Sequence, residues 1–241
     1  MNTDPLQKKR VVIVGLGGLG SPLAWALVKA GVEHITAIDP DHVELSNLHR
    51  QILFKKGDIG RGKAVVIATR LKKLNKNCQI NPIVEHINEK NANMLLAGHD
   101  VICEGTDSIA AKYLANDVGV ELGIPLVIAG ALGFGGQVFT VVPKLSACYR
   151  CVFESPLHDH PATCAQNGVL GSVVGFTAGY QAKETLAILR GKPAELAGKV
   201  WMYDALRDRE RRVDVVRRRD CETCGDAPIE AMRGVAKKVF W

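Results

Sequence analysis

Short apolar runs bounded by glycine, proline or charge recur over the first 135 residues, alternating with stretches whose apolar positions fall at helical spacing. Residues 11–14 (VVIV) predict a strand, 19–30 a helix that Gly31 ends, and 34–39 (HITAID) a second strand. Residues 62–75 predict a helix with lysines near its end, where cations suit the helix dipole. QINPIVE, DVICEGTD and PLVIAGA read as further strands, NEKNANMLLAG and 110–122 as helices. This alternation predicts an α/β fold with a mostly parallel sheet covered by helices on both faces.

After Gly135 the pattern changes. GQVFTVV is strand-like and is followed by a cysteine knuckle, the polar loop SPLHDHPATCAQNG and a long small-residue helix over 169–190. Two strands joined by a turn, VWMYDA and RRVDVV, and a second cysteine pair complete the pattern. No internal repeat or long linker interrupts it, so one domain with a C-terminal elaboration is expected.

Composition narrows the class. A hydrophobic content of 47% with 23% charged residues is that of a soluble globular domain. No apolar run approaches the ~20 residues that span a bilayer, and MNTDPLQKKR does not read as a signal peptide. A cytoplasmic protein without membrane association is therefore expected. Part of the net charge of +6 is local. The arginine-dense segment from Arg207 to Arg219 reads either as a solvated hairpin face or as a docking surface for an acidic macromolecule. It carries no aromatic interleaving, which disfavours nucleic acid. In such a compartment disulfides are disfavoured, yet Cys148/Cys151 and Cys221/Cys224 form two Cys-x-x-Cys pairs. Cys78 and Cys103 lie in strand-like surroundings and read as packing residues.

In GLGGLG, Gly15, Gly17 and Gly20 match the G-x-G-x-x-G spacing of a nucleotide-binding turn. Asp39 closes the second strand 19 residues after Gly20, placed to accept from ribose hydroxyls. A lone glycine turn does not choose between a hydride carrier and ATP. The next segment does: Asn47, Arg50 and Gln51 follow the ribose acid, and Lys63 opens the next helix. A nicotinamide slot has no use for two cations and two amides. Cleavage between α- and β-phosphates does, because charge builds on the leaving pyrophosphate. Asp107, in EGTDS past the end of a strand, is placed to ligate a Mg²⁺ ion shared with the phosphates.

GLGGLG, IDPDHVELSNLHRQ, IGRGK, EGTDS, CYRC, TCAQNGVLG and CETCG occur in the order and spacing of the ThiF/MoeB/HesA family, and from about Arg10 to Gly225 the chain resembles it. These are prokaryotic relatives of ubiquitin-activating E1 enzymes. The resemblance implies a Rossmann-like domain over 1–241, with a nucleotide-binding part at about 10–135 and an elaboration at about 136–241. It implies an adenylyltransferase in which the C-terminal Gly-Gly carboxylate of a ubiquitin-like sulfur carrier (ThiS/MoaD-like) attacks the α-phosphate of ATP. Release of pyrophosphate leaves an acyl-adenylate open to sulfur nucleophiles, for thiazole, molybdopterin or thio-nucleoside synthesis. Gly15, Gly17, Gly18, Gly20, Asp39, Asp41, Ser46, Asn47, Leu48, His49, Arg50, Gln51, Lys63, Asp107 and Ser108 would form the ATP site. Arg50, Lys63 and Asp107 would act in catalysis, Asp107 through Mg²⁺. Cys148, Cys151, Cys221 and Cys224 become one structural Zn²⁺ site. Cys164 either takes up the activated carrier or relays sulfur, with His158 and His160 nearby to lower its pKa, or is an accessible bystander thiol, since in some members the cysteine of this loop is dispensable. A homodimer and a sulfur donor protein are further implied partners.

The chain departs from the family in three ways. Members of the sulfur-carrier type have a helix before the first strand, with an arginine that reaches into the partner subunit's ATP site; here ten residues precede Val11. Ser108 stands where the family has an amide, and Lys112 where it has an arginine. Alternative readings are adenylation of a peptide, as in microcin modification, or of a small carboxylate; NAD-dependent oxidoreduction; and a scaffold that binds nucleotide or carrier without turnover.

Overall fold

The computed structural model describes residues 5–154 and 168–226. β1 (Arg10–Val14) is buried on both sides from Val11 to Val14, which is why the run is apolar throughout rather than alternating. It pairs in parallel with β2 (His34–Ile38) on one side and β4 (Val101–Glu104) on the other. β3 (Gln79–Ile83) joins β2 and β5 (Leu126–Leu132) joins β4, also in parallel. β6 (Gly135–Val141), β7 (Lys199–Asp204) and β8 (Arg209–Asp214) then add antiparallel strands. The eight-stranded order is β3-β2-β1-β4-β5-β6-β7-β8. The order reverses between β1 and β4, so a crevice opens at their carboxyl ends, where open α/β sheets bind ligands.

The two faces have separate cores. Val11 and Ile13 point to the face covered by α1 (Gly20–Lys29) and α2 (Lys63–Leu74). Val12 and Val14 point to the face covered by α3 (Ala92–Leu96), α4 (Ile109–Leu122) and α5 (Tyr149–Val152). α6 (Gly171–Leu189), the small-residue helix, packs on the first face against α1, β5 and β6.

The expected elements are present with small shifts at their ends. Gly31 ends α1 at φ +105°, in the left-handed region that favours glycine. α3 is shorter than its apolar pattern predicts. The side chains of Asn88 and Asn91 accept from the backbone N–H groups of Lys90 and Asn88, holding the preceding residues in a turn. β8 is exposed along its length, as either reading of the arginine-dense segment requires. Among the described residues no helix is long and apolar enough to cross a membrane.

Candidate functional site

The glycine turn leaves β1 at Gly15, with φ +84° and its N–H donated to the Ile38 carbonyl at 2.8 Å. A Cβ at Gly15 would lie 2.7 Å from the Thr106 methyl group, and one at Gly20 would overlap the Gly15 carbonyl oxygen. The turn is therefore pressed between the end of β4 and the start of α1. No side chain caps α1; the Ser21 N–H is taken by the Gly17 carbonyl at 3.2 Å and Pro22 has none, so the turn itself supplies the approach to the start of the helix. Asp39 is 4% exposed. Its carboxylate accepts from the backbone N–H of Leu16 at 2.6 Å and of Asp41 at 2.9 Å. Burial pushes its pKa above the ordinary carboxylate value; Lys63 and the two amides oppose the shift without cancelling it. These bonds fix the acid beside the turn and leave lone pairs for ribose hydroxyls.

The segment after Asp39 folds back on the start of α2. Val43 and Arg61 pair through their backbones, as do Gly60 and Val43, and the Lys63 N–H reaches the Asp41 carbonyl at 2.8 Å. This pairing brings Lys63, buried at 5% exposure, into the crevice, where Nζ lies 2.8 Å from Asp41 Oδ2. Arg50 is held by its own turn: Nη2 donates to Asn47 Oδ1 at 2.7 Å and Nη1 to the Ser46 carbonyl at 3.3 Å. Asn47 thus orients the guanidinium. Gln51 is 5% exposed, and its Oε1 is buried without a hydrogen-bond partner among the described residues. Its Nε2 lies 3.3 Å from where a Cβ on Gly17 would stand, so the second glycine admits this amide to the turn.

Asp107 is exposed in the loop between β4 and α4. Ser108 is the N-cap of α4, its hydroxyl accepting from the Ala111 N–H at 3.2 Å. Substitution of the family's amide by serine therefore preserves a capping residue. Lys112 is buried and ion-paired with Glu104. Glu104 was not singled out from the sequence. The available signal was an acid closing an otherwise apolar strand, VICE, eight residues before a lysine.

One cleft of about 2580 Å³ collects these residues. Gly15, Gly17, Gly18, Asp39, Asp41, Asn47, Arg50, Gln51, Lys63, Asp107 and Ser108 all line it. Four expected residues do not reach it. Gly20 serves helix–strand packing, the Ser46 hydroxyl donates to Glu44, Leu48 packs against the core, and His49 is exposed beside Arg50. Ligand cavities are commonly about 300–1,000 Å³, so the cleft has room for more than a nucleotide. It continues over the uncovered side of β5–β8. Gly130, Gln137, Met202 and Arg211 are cross-strand partners in one row, and Leu132, Gly135, Asp204 and Arg209 form the next. Arg209 and Arg211 line the cleft and make no ion pair among the described residues.

The four paired cysteines converge. Cys148 Sγ lies 3.5 Å from Cys221 Sγ and 4.0 Å from Cys151 Sγ, and Cys151 Sγ lies 3.4 Å from Cys224 Sγ. All four sulfurs are within 4.8 Å of one another. Sulfurs at ~2.3 Å from a tetrahedral zinc stand about 3.8 Å apart, so the donor set and spacing fit zinc. The cluster joins the segment after β6 to the segment after β8. The bidentate Arg150–Asp117 contact, with Asp117 also accepting from Thr223, ties it to α4. Cys78 and Cys103 are fully buried, and burial pushes the Cys103 thiol up to about 12. Cys164, His158 and His160 lie outside the described residues.

The model of the ThiF family matches residues 2–225. The chain belongs to the ThiF family. It is 37% identical over 233 residues to the sulfur carrier protein adenylyltransferase of Thermus thermophilus, covering 94% of this chain and 86% of that protein. It is 35% identical over 231 residues to the SAMP-activating enzyme E1 of Haloferax volcanii, covering 95% and 85%. It is 40% identical to the adenylyltransferase and sulfurtransferase MOCS3 of Sus scrofa over 220 residues, which cover 90% of this chain and about half, 48%, of the relative. Among solved structures, Escherichia coli MccB superposes with a TM-score of 0.84 at 24% identity, over 92% of this chain and 68% of MccB, a likeness of fold. This ThiF-family chain is an enzyme of the E1-like adenylyltransferase class.

Proposed function

We propose that the chain uses Mg·ATP to adenylate the C-terminal glycine carboxylate of a ubiquitin-like sulfur carrier of the ThiS or MoaD type. One observation carries this reading. Arg50, Lys63 and Asp107 share a single cleft that extends beyond nucleotide size onto an open sheet face. A carboxylate oxygen attacks the α-phosphorus, the bond to the bridging oxygen of the β-phosphate breaks, and that oxygen leaves with pyrophosphate. The charge gathers on the leaving group, where Arg50 and Lys63 act. Bound at Asp107, Mg²⁺ would add a Lewis acid on the phosphate oxygens. Asp39 holds the ribose, and Gln51 lends its unpartnered carbonyl oxygen to a donor on the ligand.

The row Gly130–Gln137–Met202–Arg211 supports an extended tail as co-substrate, because it carries the lining of the cleft across β5, β6, β7 and β8. The unpaired Arg209 and Arg211 support an acidic face on the carrier body. Zinc in the cysteine cluster, a homodimer, a role for Cys164, a downstream sulfur donor protein and a cytoplasmic location belong to the same reading. The homodimer is supported by exposed Leu170 and Phe176 at α6. ATP–pyrophosphate exchange tests the proposal: it is expected with a carrier ending in Gly-Gly and absent with the same carrier lacking its last glycine. Exchange that ignores the carrier, or that a free peptide supports equally well, contradicts it.

A further inference from the structure

Glu104 is the last residue of β4 and is fully buried; Lys112 stands in the first turn of α4 and is 6% exposed. Lys112 Nζ lies 2.5 Å from Glu104 Oε2, and it also donates to the carbonyls of Thr106 at 2.8 Å and Ala129 at 2.7 Å. All three ammonium donors are therefore used. The other carboxylate oxygen of Glu104 accepts from the Thr106 N–H at 2.8 Å and from the Thr106 hydroxyl. Thr106 is thus gripped on every side, its N–H and hydroxyl by the acid and its carbonyl by the lysine. Its methyl group is the surface against which Gly15 packs. The next residue is Asp107, which lines the cleft and has no side-chain partner among the described residues.

Burying two charges is costly before their attraction is counted, and a well-packed apolar pair of similar volume is often as stable. A role in general stability is therefore a weak explanation for this pair. Position is a better one. The ion pair closes the turn between strand and helix, and the residue it clamps separates the glycine turn from the free carboxylate. We propose that Glu104 and Lys112 are positioning residues for the metal–triphosphate complex, acting through Thr106 to fix Asp107 relative to the glycine turn. This rests on the reading of Asp107 as the Mg²⁺ ligand.

The test measures ATP affinity of the full chain by calorimetry in Mg²⁺ and in EDTA, together with the thermal midpoint, for wild type, Asp107→Asn, Lys112→Met and the double variant Glu104→Asp/Lys112→Arg. Wild type is expected to bind ATP more tightly with Mg²⁺, and Asp107→Asn to remove that enhancement. Lys112→Met is expected to reduce the enhancement on the order of tenfold, less than the ~10²-fold that a misplacement of about 1 Å can cost a reaction step. Its affinity in EDTA should stay near that of wild type, and the double variant should recover most of the enhancement. Should Lys112→Met fail to fold, Glu104→Gln/Lys112→Met removes both charges together and is read on the same scale. Loss of affinity in equal proportion with and without metal marks a merely structural pair and overturns the proposal. So does an unchanged enhancement in Lys112→Met beside its loss in Asp107→Asn, an outcome that leaves the reading of Asp107 standing. An enhancement absent from wild type, or surviving Asp107→Asn, overturns both.

Discussion

Lys63 Nζ rests 2.8 Å from Asp41 Oδ2, with the lysine side chain 6% exposed and the aspartate 60% exposed. A buried cation is thus held at the cleft wall by an exposed anion, with two of its donors left for phosphate oxygens. Lys63→Met is expected to lower carrier-dependent ATP–pyrophosphate exchange by roughly 10²–10³-fold, the size of effect seen when one fixed donor to developing charge is removed. Asp41→Asn keeps the lysine and should lose much less. Steady-state exchange rates for the two variants, with thermal midpoints as a folding control, check the ordering. Equal losses would show that Asp41, and not the phosphates, is what Lys63 serves.

The cysteine cluster predicts one zinc per chain by elemental analysis. Cys148 and Cys221 are buried, so replacing Cys221 by serine or chelating the metal removes a tie between the segments after β6 and β8. Structural zinc contributes ~10–16 kcal/mol in small zinc-dependent domains. If about 3 kcal/mol of that acts here, with each kcal/mol worth ~2–4 °C in a chain of this size, the thermal midpoint falls by about 10 °C. No zinc in the purified protein, or a midpoint unmoved by chelator, contradicts the assignment.

Asp39 predicts a pH dependence of nucleoside binding. Burial, its largest influence, raises its pKa, and only the ionised form accepts from both ribose hydroxyls. The folded protein alone loses stability as pH rises through this pKa, because an acid with a raised folded value is favoured when protonated. Ligand affinity runs the opposite way: it should strengthen as pH rises through a midpoint above the ordinary aspartate value. Adenosine, which has no phosphate to titrate, is the probe. Its dissociation constant should follow this curve for wild type and be flat for Asp39→Asn; a flat wild-type curve contradicts the role of Asp39.

The parallel half of the fold was legible because β1 from Val11 to Val14, β4 from Val101 to Cys103 and β5 from Leu126 to Ala129 are buried and so read as apolar runs. The glycine turn was legible because Gly15 and Gly20 answer steric demands that only glycine meets. The Glu104–Lys112 pair was not, since it forms only when the chain turns from β4 into α4 and closes over Thr106. Nor does arginine spacing alone tell which side chains of the hairpin are free. Arg212 is neutralised by Glu195, a residue 17 positions away in sequence, whereas Arg209 and Arg211 alternate onto the opposite side and face the cleft. Ser46, Leu48 and His49 share a motif with Asn47 and Arg50, but the short turn at Leu45–Asn47 sends their side chains elsewhere.

The most direct measurement is the intact mass of a sulfur carrier ending in Gly-Gly after incubation with Mg·ATP and this chain. We expect the carrier to gain an adenylyl group with wild-type protein and to remain unmodified when Arg50 and Lys63 are both replaced by neutral residues in a folded variant. Adenylation that survives the loss of both cations would contradict the chemistry assigned to this cleft.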